Sequence, residues 1–222
     1  MIQPNWELFF SSLLPLLDGA IRGTIPLALM SFAIGLVLAL VLALMRLSSK
    51  RWLSNIARVY ISLVRGTPLL VQLFVIFYGL PSIGVVIDPW PSAVVAFSIN
   101  VGGYAAEVIR AAILSVPKGQ WEAAYMVGMS RSRALTRIIL PQAARVSVPP
   151  LSNTFISLVK DTSLASVILV TELFREAQQI TAFSQEFMLI YLEAALIYWV
   201  ICLVLSTGQG FLEKRLDRYV AR

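Results

Sequence analysis

GQWEAAYMVGMSRSRALTRIILP (residues 119–141) is a well-patterned helical segment inside a chain that otherwise has the composition of a membrane protein. It carries Glu122 and three arginines, so it cannot cross a bilayer. Trp121, Tyr125 and Gly128 recur at i, i+4 and i+7, which places them on one helical face. Gly128 suits the left-handed position that ends a helix, and a second apolar stripe follows in residues 135–139. The pattern predicts a helix, a turn and a second helix outside the membrane.

Two details of this hairpin are predicted, and its role is left open. Glu122 is expected in the first turn of the first helix, where a negative charge suits the helix dipole. Pro141 is expected to end or kink the second helix. The pattern allows two interpretations: an amphipathic hairpin that rests on the bilayer surface, or a docking site for a cytoplasmic partner.

The composition of the whole chain excludes an ordinary soluble domain. The 222 residues are 58% hydrophobic and 14% charged, whereas soluble domains are about 45–50% apolar and about 25% charged. Cys202 is the only cysteine, so no intrachain disulfide is possible. The chain has no histidine, which removes the commonest catalytic base and metal ligand. No metal site is predicted.

Charge-free runs indicate the membrane-spanning helices. Four runs of 23, 22, 18 and 19 residues occupy positions 23–45, 66–87, 89–106 and 194–212. A spanning helix needs about 20 mostly apolar residues, with a range of about 17–25. A fifth span is predicted from residue 146 to about residue 170, interrupted by Lys160 and Asp161. The sequence therefore predicts an all-α integral membrane protein of five helices.

The distribution of basic residues predicts the orientation. With the N-terminus outside and five alternating helices, 15 of the 18 lysines and arginines fall on the inner side. Basic residues stay cytoplasmic, so the C-terminus and the hairpin between helices three and four are predicted to be cytoplasmic. The net charge of +6 needs no nucleic acid, because a basic inner rim beside anionic membrane lipid accounts for it.

Three segments follow from these spans. Residues 1–18 are predicted to be a periplasmic or interfacial N-terminal segment, in which residues 6–17 lie on the membrane. No basic region precedes an apolar core there, so this segment is not predicted to be a signal peptide. Residues 19–211 form the transmembrane domain, and residues 212–222 form a cytoplasmic tail.

Polar residues at membrane depth are costly and usually face a cavity, so they indicate a substrate path. Asn153, Ser157, Lys160 and Asp161 recur at i, i+4, i+7 and i+8 on one face of helix four, and Asn100 in helix three is a further candidate. Lys160 and Asp161 are adjacent, so their side chains diverge by about 100°. The pair could match the ammonium and carboxylate of an amino acid. Alternatively, both residues pair with protein groups and only hold helices together.

Helix three carries two further features. Gly102 and Gly103 are expected to allow close helix packing. Glu107 and Arg110, at i and i+3, are expected to form an ion pair at the membrane interface.

The chain cannot supply an ATP site of the phosphate-loop type. That loop ends in Gly-Lys-Ser/Thr, whereas the four lysines here follow Ser, Pro, Val and Glu. Two rival classes remain. A membrane-embedded enzyme would use a carboxylate pair such as Glu107 and Asp161, which lie at different predicted depths. A self-contained secondary transporter is disfavoured because no internal repeat is visible.

Two motifs carry a resemblance to a known family. The hairpin resembles the EAA loop of permease subunits in bacterial ABC importers, on seven residues: Glu122, Ala123, Ala124, Gly128, Ile138, Leu140 and Pro141. RGTPLLVQ (residues 65–72) resembles the sequence found in permeases of the polar amino acid uptake family.

The resemblance implies a function and a set of partners. The chain would be a non-catalytic permease subunit in the bacterial inner membrane, without a cofactor of its own. The seven loop residues would form coupling helices for a cytoplasmic ATP-binding subunit, present in two copies, that binds and hydrolyses ATP. A second permease copy or a paralogue would complete a dimer, and a periplasmic solute-binding protein would deliver the solute. That solute would be a polar amino acid, L-cystine first, with the basic, glutamine/glutamate and histidine types as alternatives.

Overall fold

The computed structural model describes residues 6–217, and every regular element within them is helical, which confirms the all-α prediction. The α-helices are α1 (Trp6–Gly19), α2 (Ile25–Arg46), α3 (Arg51–Gly66), α4 (Leu69–Phe74), α5 (Pro89–Ser115), α6 (Lys118–Met126), α7 (Arg131–Ala134), α8 (Leu140–Asp161), α9 (Leu173–Ser184) and α10 (Phe187–Asp217). Turns of π-helix or 3₁₀-helix extend them at Ala20–Thr24, Val75–Gly79, Leu80–Ile83, Leu135–Ile139 and Thr162–Ile168. Residues 1–5 of the predicted N-terminal segment and residues 218–222 of the predicted tail lie outside the described residues.

Between three and five segments of the described chain can cross a membrane. Three single helices are long and apolar enough: Trp6–Arg46, Pro89–Ser115 and Phe187–Arg215. Two bent pairs qualify if each counts as one crossing: Arg51–Gly66 with Leu69–Ile83, bent by 106°, and Arg131–Ile168 with Leu173–Ser184, bent by 48°. The predicted fourth helix is thus α8 with a 3₁₀ extension, followed by a bend into α9.

The sharpest bend, between α3 and α4, is stabilised by one amide side chain. Pro68 has no N–H, so the hydrogen bonding of α3 cannot continue through it. The Gln72 side-chain amide donates to the carbonyl oxygens of Val64, at 2.8 Å, and of Thr67, at 3.1 Å. Irregular backbone at membrane depth is tolerated when its polar groups are satisfied within the protein. Gln72 therefore stabilises the break between the two helices.

The N-terminal helix continues directly into the first predicted span. Residues 6–18 form most of α1, which leads through a π-helical turn into α2. Leu16 of α1 is fully buried with Leu173 of α9 and Ile190 of α10. At the other end of the chain, α10 continues through residue 211 to Asp217 without a break. The positions of both terminal segments relative to the membrane stay predictions.

Close packing joins α2 to α5. A Cβ atom on Gly35 would lie 2.6 Å from the Val101 side chain, and one on Gly102 would lie 2.7 Å from Leu38. Gly103 makes a similar approach to Val64 of α3. Small residues let helix backbones approach closely in membranes, where lipid tails are as apolar as the helices themselves. The predicted packing role of the Gly102 and Gly103 pair is confirmed.

Hydrogen bonds to the Glu172 side chain connect α9 and α10 to the π-helical turn that extends α1. This side chain is fully buried and caps α9 by accepting hydrogen bonds from the backbone N–H groups of Phe174 and Arg175. The Tyr198 hydroxyl of α10 donates to it at 2.8 Å, and the Thr24 hydroxyl donates at 3.3 Å. A buried carboxylate is costly unless its oxygens are hydrogen-bonded, and these four donors meet that requirement.

Substitution of Gly23, which lies against Glu172, should destabilise the protein. In Gly23→Ala the new Cβ would sit 2.5 Å from both the Glu172 Cα and the Thr171 carbonyl oxygen, so the backbone must shift. Overpacking of this kind costs about 1–3 kcal/mol, and we expect a fall of several degrees in the Tm of the detergent-purified protein. Gly210→Ala is the matched control, because nothing lies within 4 Å of its Cβ position. Equal Tm values for the two variants would contradict this account of the packing.

Candidate functional site

The hairpin of residues 118–139 has the predicted helix, turn and second helix. The first helix, α6, ends at Met126, and Gly128 takes a left-handed φ of 76° after it. The N–H groups of Gly128 and Met129 return to the carbonyl oxygens of Tyr125 and Ala124 and close the turn. The second helix then begins with α7 and continues through a π-helical turn into α8.

Two local predictions about the hairpin were wrong. Because α6 begins at Lys118, Glu122 lies in the second turn rather than the first, where the helix dipole has little effect on it. Pro141 neither ends nor breaks the second helix. It falls in the first turn of α8, where the missing N–H costs little, directly after the π-helical turn.

One side of the hairpin is anchored to the membrane helices by apolar packing. Ala124 and Ile139 are buried, and Ile139 belongs to a cluster with Ile113 and Val116 at the end of α5. Ile138 and Leu140 pack against the rim of the same cluster. The hairpin is therefore a fixed extension of the membrane domain.

The tip of the hairpin exposes apolar side chains. Met126 is 88% exposed and Val127 is 72% exposed, and Tyr125 beside them is also exposed. Glu122 and Ala123 lie on the exposed surface of the preceding turns. Contiguous exposed apolar side chains that are surrounded by charged residues typically mark a site of interaction, whereas single exposed apolar side chains do not.

A polar contact connects the hairpin to the end of α2, and an ion pair connects α2 to α5. The Arg131 guanidinium donates to the Leu47 carbonyl oxygen at 3.4 Å, just beyond α2. Nearby, Glu107 forms an ion pair with Arg110 at 2.7 Å and a second one with Arg46 of α2 at 3.5 Å. The predicted pair of Glu107 and Arg110 is confirmed, and Arg46 is a partner that the sequence did not indicate.

An open cavity of about 410 Å³ lies between the α3–α4 break, α5 and α8. It brings together four of the five predicted path residues: Asn100, Asn153, Ser157 and Asp161. Asp161 is half-buried and makes no side-chain hydrogen bond or ion pair with any residue from 6 to 215. Asn100 donates to Gln72 at 3.2 Å, and Asn153 accepts from Gln209 of α10 at 3.1 Å.

Lys160 does not share this cavity. Its side chain is exposed and is not among the residues that line the cavity wall, although Asp161 next to it is. The divergence of about 100° between adjacent helical residues accounts for the separation. Lys160 and Asp161 therefore do not line this cavity together, and their pairing with one solute stays a prediction.

Several residues of this region were missed in the sequence. Thr67, Pro68 and Tyr104 also line the cavity, and Gln72 holds the break beside it. The RGTPLLVQ motif contains three of these four residues, so the motif could have indicated that they lie at the cavity. Tyr104 follows Asn100 at i+4 on α5, and that spacing was the only indication of its position.

Comparison with known proteins agrees with this architecture. The family model of the binding-protein-dependent transport system inner membrane component matches residues 35–218. The chain is 61% identical to the L-cystine transport system permease protein TcyB of Bacillus subtilis, over 98% of this chain and 93% of that protein. It is 39% identical to the glutamine transport system permease protein GlnP of Escherichia coli K12, over 98% of each.

A solved structure agrees as well. An amino acid ABC transporter crystallised with histidines superposes with a TM-score of 0.88 at 35% identity, covering 97% of this chain and 99% of the other. The inward-facing MetNI methionine ABC transporter, at 17% identity and a TM-score of 0.71, shares the fold. The chain therefore belongs to the family of inner membrane components of binding-protein-dependent transport systems, and it is an ABC permease subunit, a transport component and not an enzyme.

Proposed function

We propose that this chain forms the translocation path of an ABC importer for L-cystine. The observation that carries the proposal is the 61% identity to the B. subtilis L-cystine permease over nearly the full length of both proteins. The E. coli glutamine permease is less similar, at 39%. A second candidate is another polar amino acid of the basic, glutamine/glutamate or histidine type, because the solved transporter at 35% identity was crystallised with histidines.

The hairpin is proposed as the docking site for the ATP-binding subunit, which binds and hydrolyses ATP. The resemblance of the hairpin to the EAA loop supports docking over the alternative of a hairpin resting on lipid, and the exposed apolar tip provides the surface for it. Glu122 and Ala123 would contact the ATP-binding subunit, and Gly128 would set the turn between them and the second helix. The remaining motif residues would hold the hairpin in place from the buried side: Ala124, Ile138, Leu140 and Pro141.

The complete importer would contain further copies and partners. Two permease chains, or this chain and a paralogue, would face each other across the open side of the cavity. Two ATP-binding subunits would dock on the two hairpins from the cytoplasm. A periplasmic binding protein would deliver the amino acid to the outer face, as the family description implies for this class.

Five crossings with the N-terminus outside are proposed for each chain. This count takes each bent helix pair as one crossing. With the apolar runs of the sequence as the membrane core of each crossing, 15 of the 18 basic residues lie on the cytoplasmic side, in agreement with the positive-inside rule. The hairpin and the end of α10 then lie in the cytoplasm.

The solute is proposed to pass through the cavity beside the α3–α4 break. Asn100, Asn153, Ser157 and Asp161 supply its polar groups, and polar groups at this depth in a membrane helix typically face a water-filled path. Lys160, which does not line the cavity, is left outside this path.

Disruption of the hairpin tip should uncouple the complex. We expect Met126→Glu and Glu122→Lys to lower ATP-driven uptake of labelled cystine at least about tenfold, because loss of an interface hot spot costs about 2 kcal/mol or more. Neither side chain is buried within this chain, so membrane insertion should be unchanged. Co-purification of the ATP-binding subunit measures docking directly.

Val86→Glu is the matched control for the tip variant. Val86 is 80% exposed, similar to Met126, but lies in the loop before α5, which the proposed orientation puts on the opposite side of the membrane. It should retain the ATP-binding subunit at the wild-type level. If Met126→Glu and Glu122→Lys also retained it and transported cystine normally, the hairpin would not be the docking site.

Cysteine labelling should reveal the proposed orientation. In a Cys202→Ala background, we expect Ser82→Cys and Glu186→Cys to react with a membrane-impermeant maleimide. The maleimide is added to cells that have lost the cell wall or outer membrane but keep an intact inner membrane. Ser49→Cys and Ser130→Cys should react only after the membrane is permeabilised. All four positions are exposed in the chain. Labelling of Ser130→Cys from outside would refute both the orientation and the docking proposal.

A further inference from the structure

We infer that Arg65 and Asp161 bind the two opposite charges of the transported amino acid: Asp161 the ammonium group, and Arg65 the carboxylate. This arrangement, the zwitterion clamp of Arg65 and Asp161, rests on the proposed function. It replaces the sequence-based pairing of Asp161 with Lys160.

Asp161 is the acidic half of the clamp. Of the side chains that line the cavity, it is the only one that carries a formal charge. Its side chain has no hydrogen bond or ion pair with residues 6–215, so its carboxylate is available to a ligand. A carboxylate at membrane depth needs a compensating partner, and a ligand ammonium provides one.

Arg65 is the basic half. It lies at the end of α3, two residues before Thr67, which lines the cavity. Its guanidinium carbon lies 5.5 Å from the centroid of the Tyr104 ring, and Tyr104 lines the same cavity. The cation–π contact holds the guanidinium at the rim of the cavity without neutralising its charge. Arg65 is exposed and forms no ion pair with any described residue.

The chemistry of the two groups fits an α-amino acid. Arginine presents parallel N–H groups that bind both oxygens of a carboxylate, and the guanidinium remains charged at any physiological pH. Asp161 presents a free carboxylate in the cavity wall, and Arg65 presents a guanidinium without an anionic partner at the rim. Together the two groups complement the charges of a zwitterion. Lys160 contributes to neither side, because its exposed side chain is not part of the lining.

Arg58 provides an internal control for simple positive charge. It lies seven residues before Arg65, on the same face of α3, and is exposed with no partner among the described residues. Two helical turns separate the two arginines by about 10 Å along the helix axis. A general effect of positive charge would involve both, whereas the clamp requires only Arg65.

The test measures ligand binding to the purified permease–ATPase complex without the binding protein. The labelled ligands are cystine, cystamine, which lacks the carboxylates, and N,N′-diacetylcystine, which lacks the ammonium groups. Arg65→Gln should weaken cystine binding about tenfold or more and leave cystamine binding unchanged, since hydrogen bonds to charged groups contribute about 1.5–3 kcal/mol. Asp161→Asn should weaken cystine and cystamine binding but leave diacetylcystine binding unchanged.

The control variants separate the clamp from a general effect of charge and from a loss of structure. Arg58→Gln and Lys160→Met should bind all three ligands as the wild type does. If Arg65→Gln lowered the Tm and weakened all three ligands equally, Arg65 would only be structural and the inference would be wrong. Loss of carboxylate preference in Lys160→Met and not in Arg65→Gln would also overturn it.

The experiment distinguishes an error in the proposed solute, cystine, from an error in the proposed clamp. A wild-type complex that binds another amino acid in place of cystine would correct the proposed function. In that case the same variants, tested with that amino acid and with its decarboxylated and N-acetylated forms, should show the same pattern. Absence of the pattern with that amino acid would overturn the clamp independently.

Discussion

The close approach of α2 to α5 is the contact on which the rest of the molecule depends. Gly35 on one helix and Gly102 on the other remove the side chains that would separate the two backbones. Lipid offers no hydrophobic drive for helices to associate, so this packing must come from shape and from polar bonds. Because this packing fixes α5, Asn100 and Tyr104 line the cavity, and Glu107 forms its ion pair with Arg46.

The same helix connects the cavity to the hairpin. The last turns of α5 contribute Ile113 and Val116 to the apolar cluster beneath Ile139, so the hairpin is packed on the helix that also forms the cavity wall. The ion pairs of Glu107 with Arg46 and Arg110 lie between the two regions. A displacement of the hairpin by a docked ATP-binding subunit would act on α5 through these contacts. This continuity gives a physical route for coupling ATP hydrolysis to the proposed substrate path.

Much of the architecture could be predicted from the sequence because it follows from local composition. Charge-free runs identified the apolar helices, and the spacing of Trp121, Tyr125 and Gly128 identified the hairpin and its left-handed turn. The cavity was only partly predictable. The i, i+4, i+7 and i+8 spacing put Asn153, Ser157, Lys160 and Asp161 on one face, but Lys160 is not among the residues that line the cavity.

The contacts that the sequence did not reveal are those between distant segments. Glu172 belongs to no motif in the sequence, and its donors come from positions as far apart as Thr24 and Tyr198. The predicted second span begins at residue 66, but the sharp turn at Pro68 and its stabilisation by Gln72 depend on how two helices cross. Such features need the tertiary structure because no local pattern specifies the partner.

Transport by the reconstituted complex is the most direct measurement of the central claim. Proteoliposomes containing this chain and its ATP-binding subunit, with the binding protein added outside and ATP enclosed, should accumulate labelled cystine against a gradient. Accumulation should stop when ATP or the ATP-binding subunit is omitted, because the chain has no Gly-Lys phosphate loop of its own. Cystine accumulation that persisted without the ATP-binding subunit, or none in the complete system, would contradict the account.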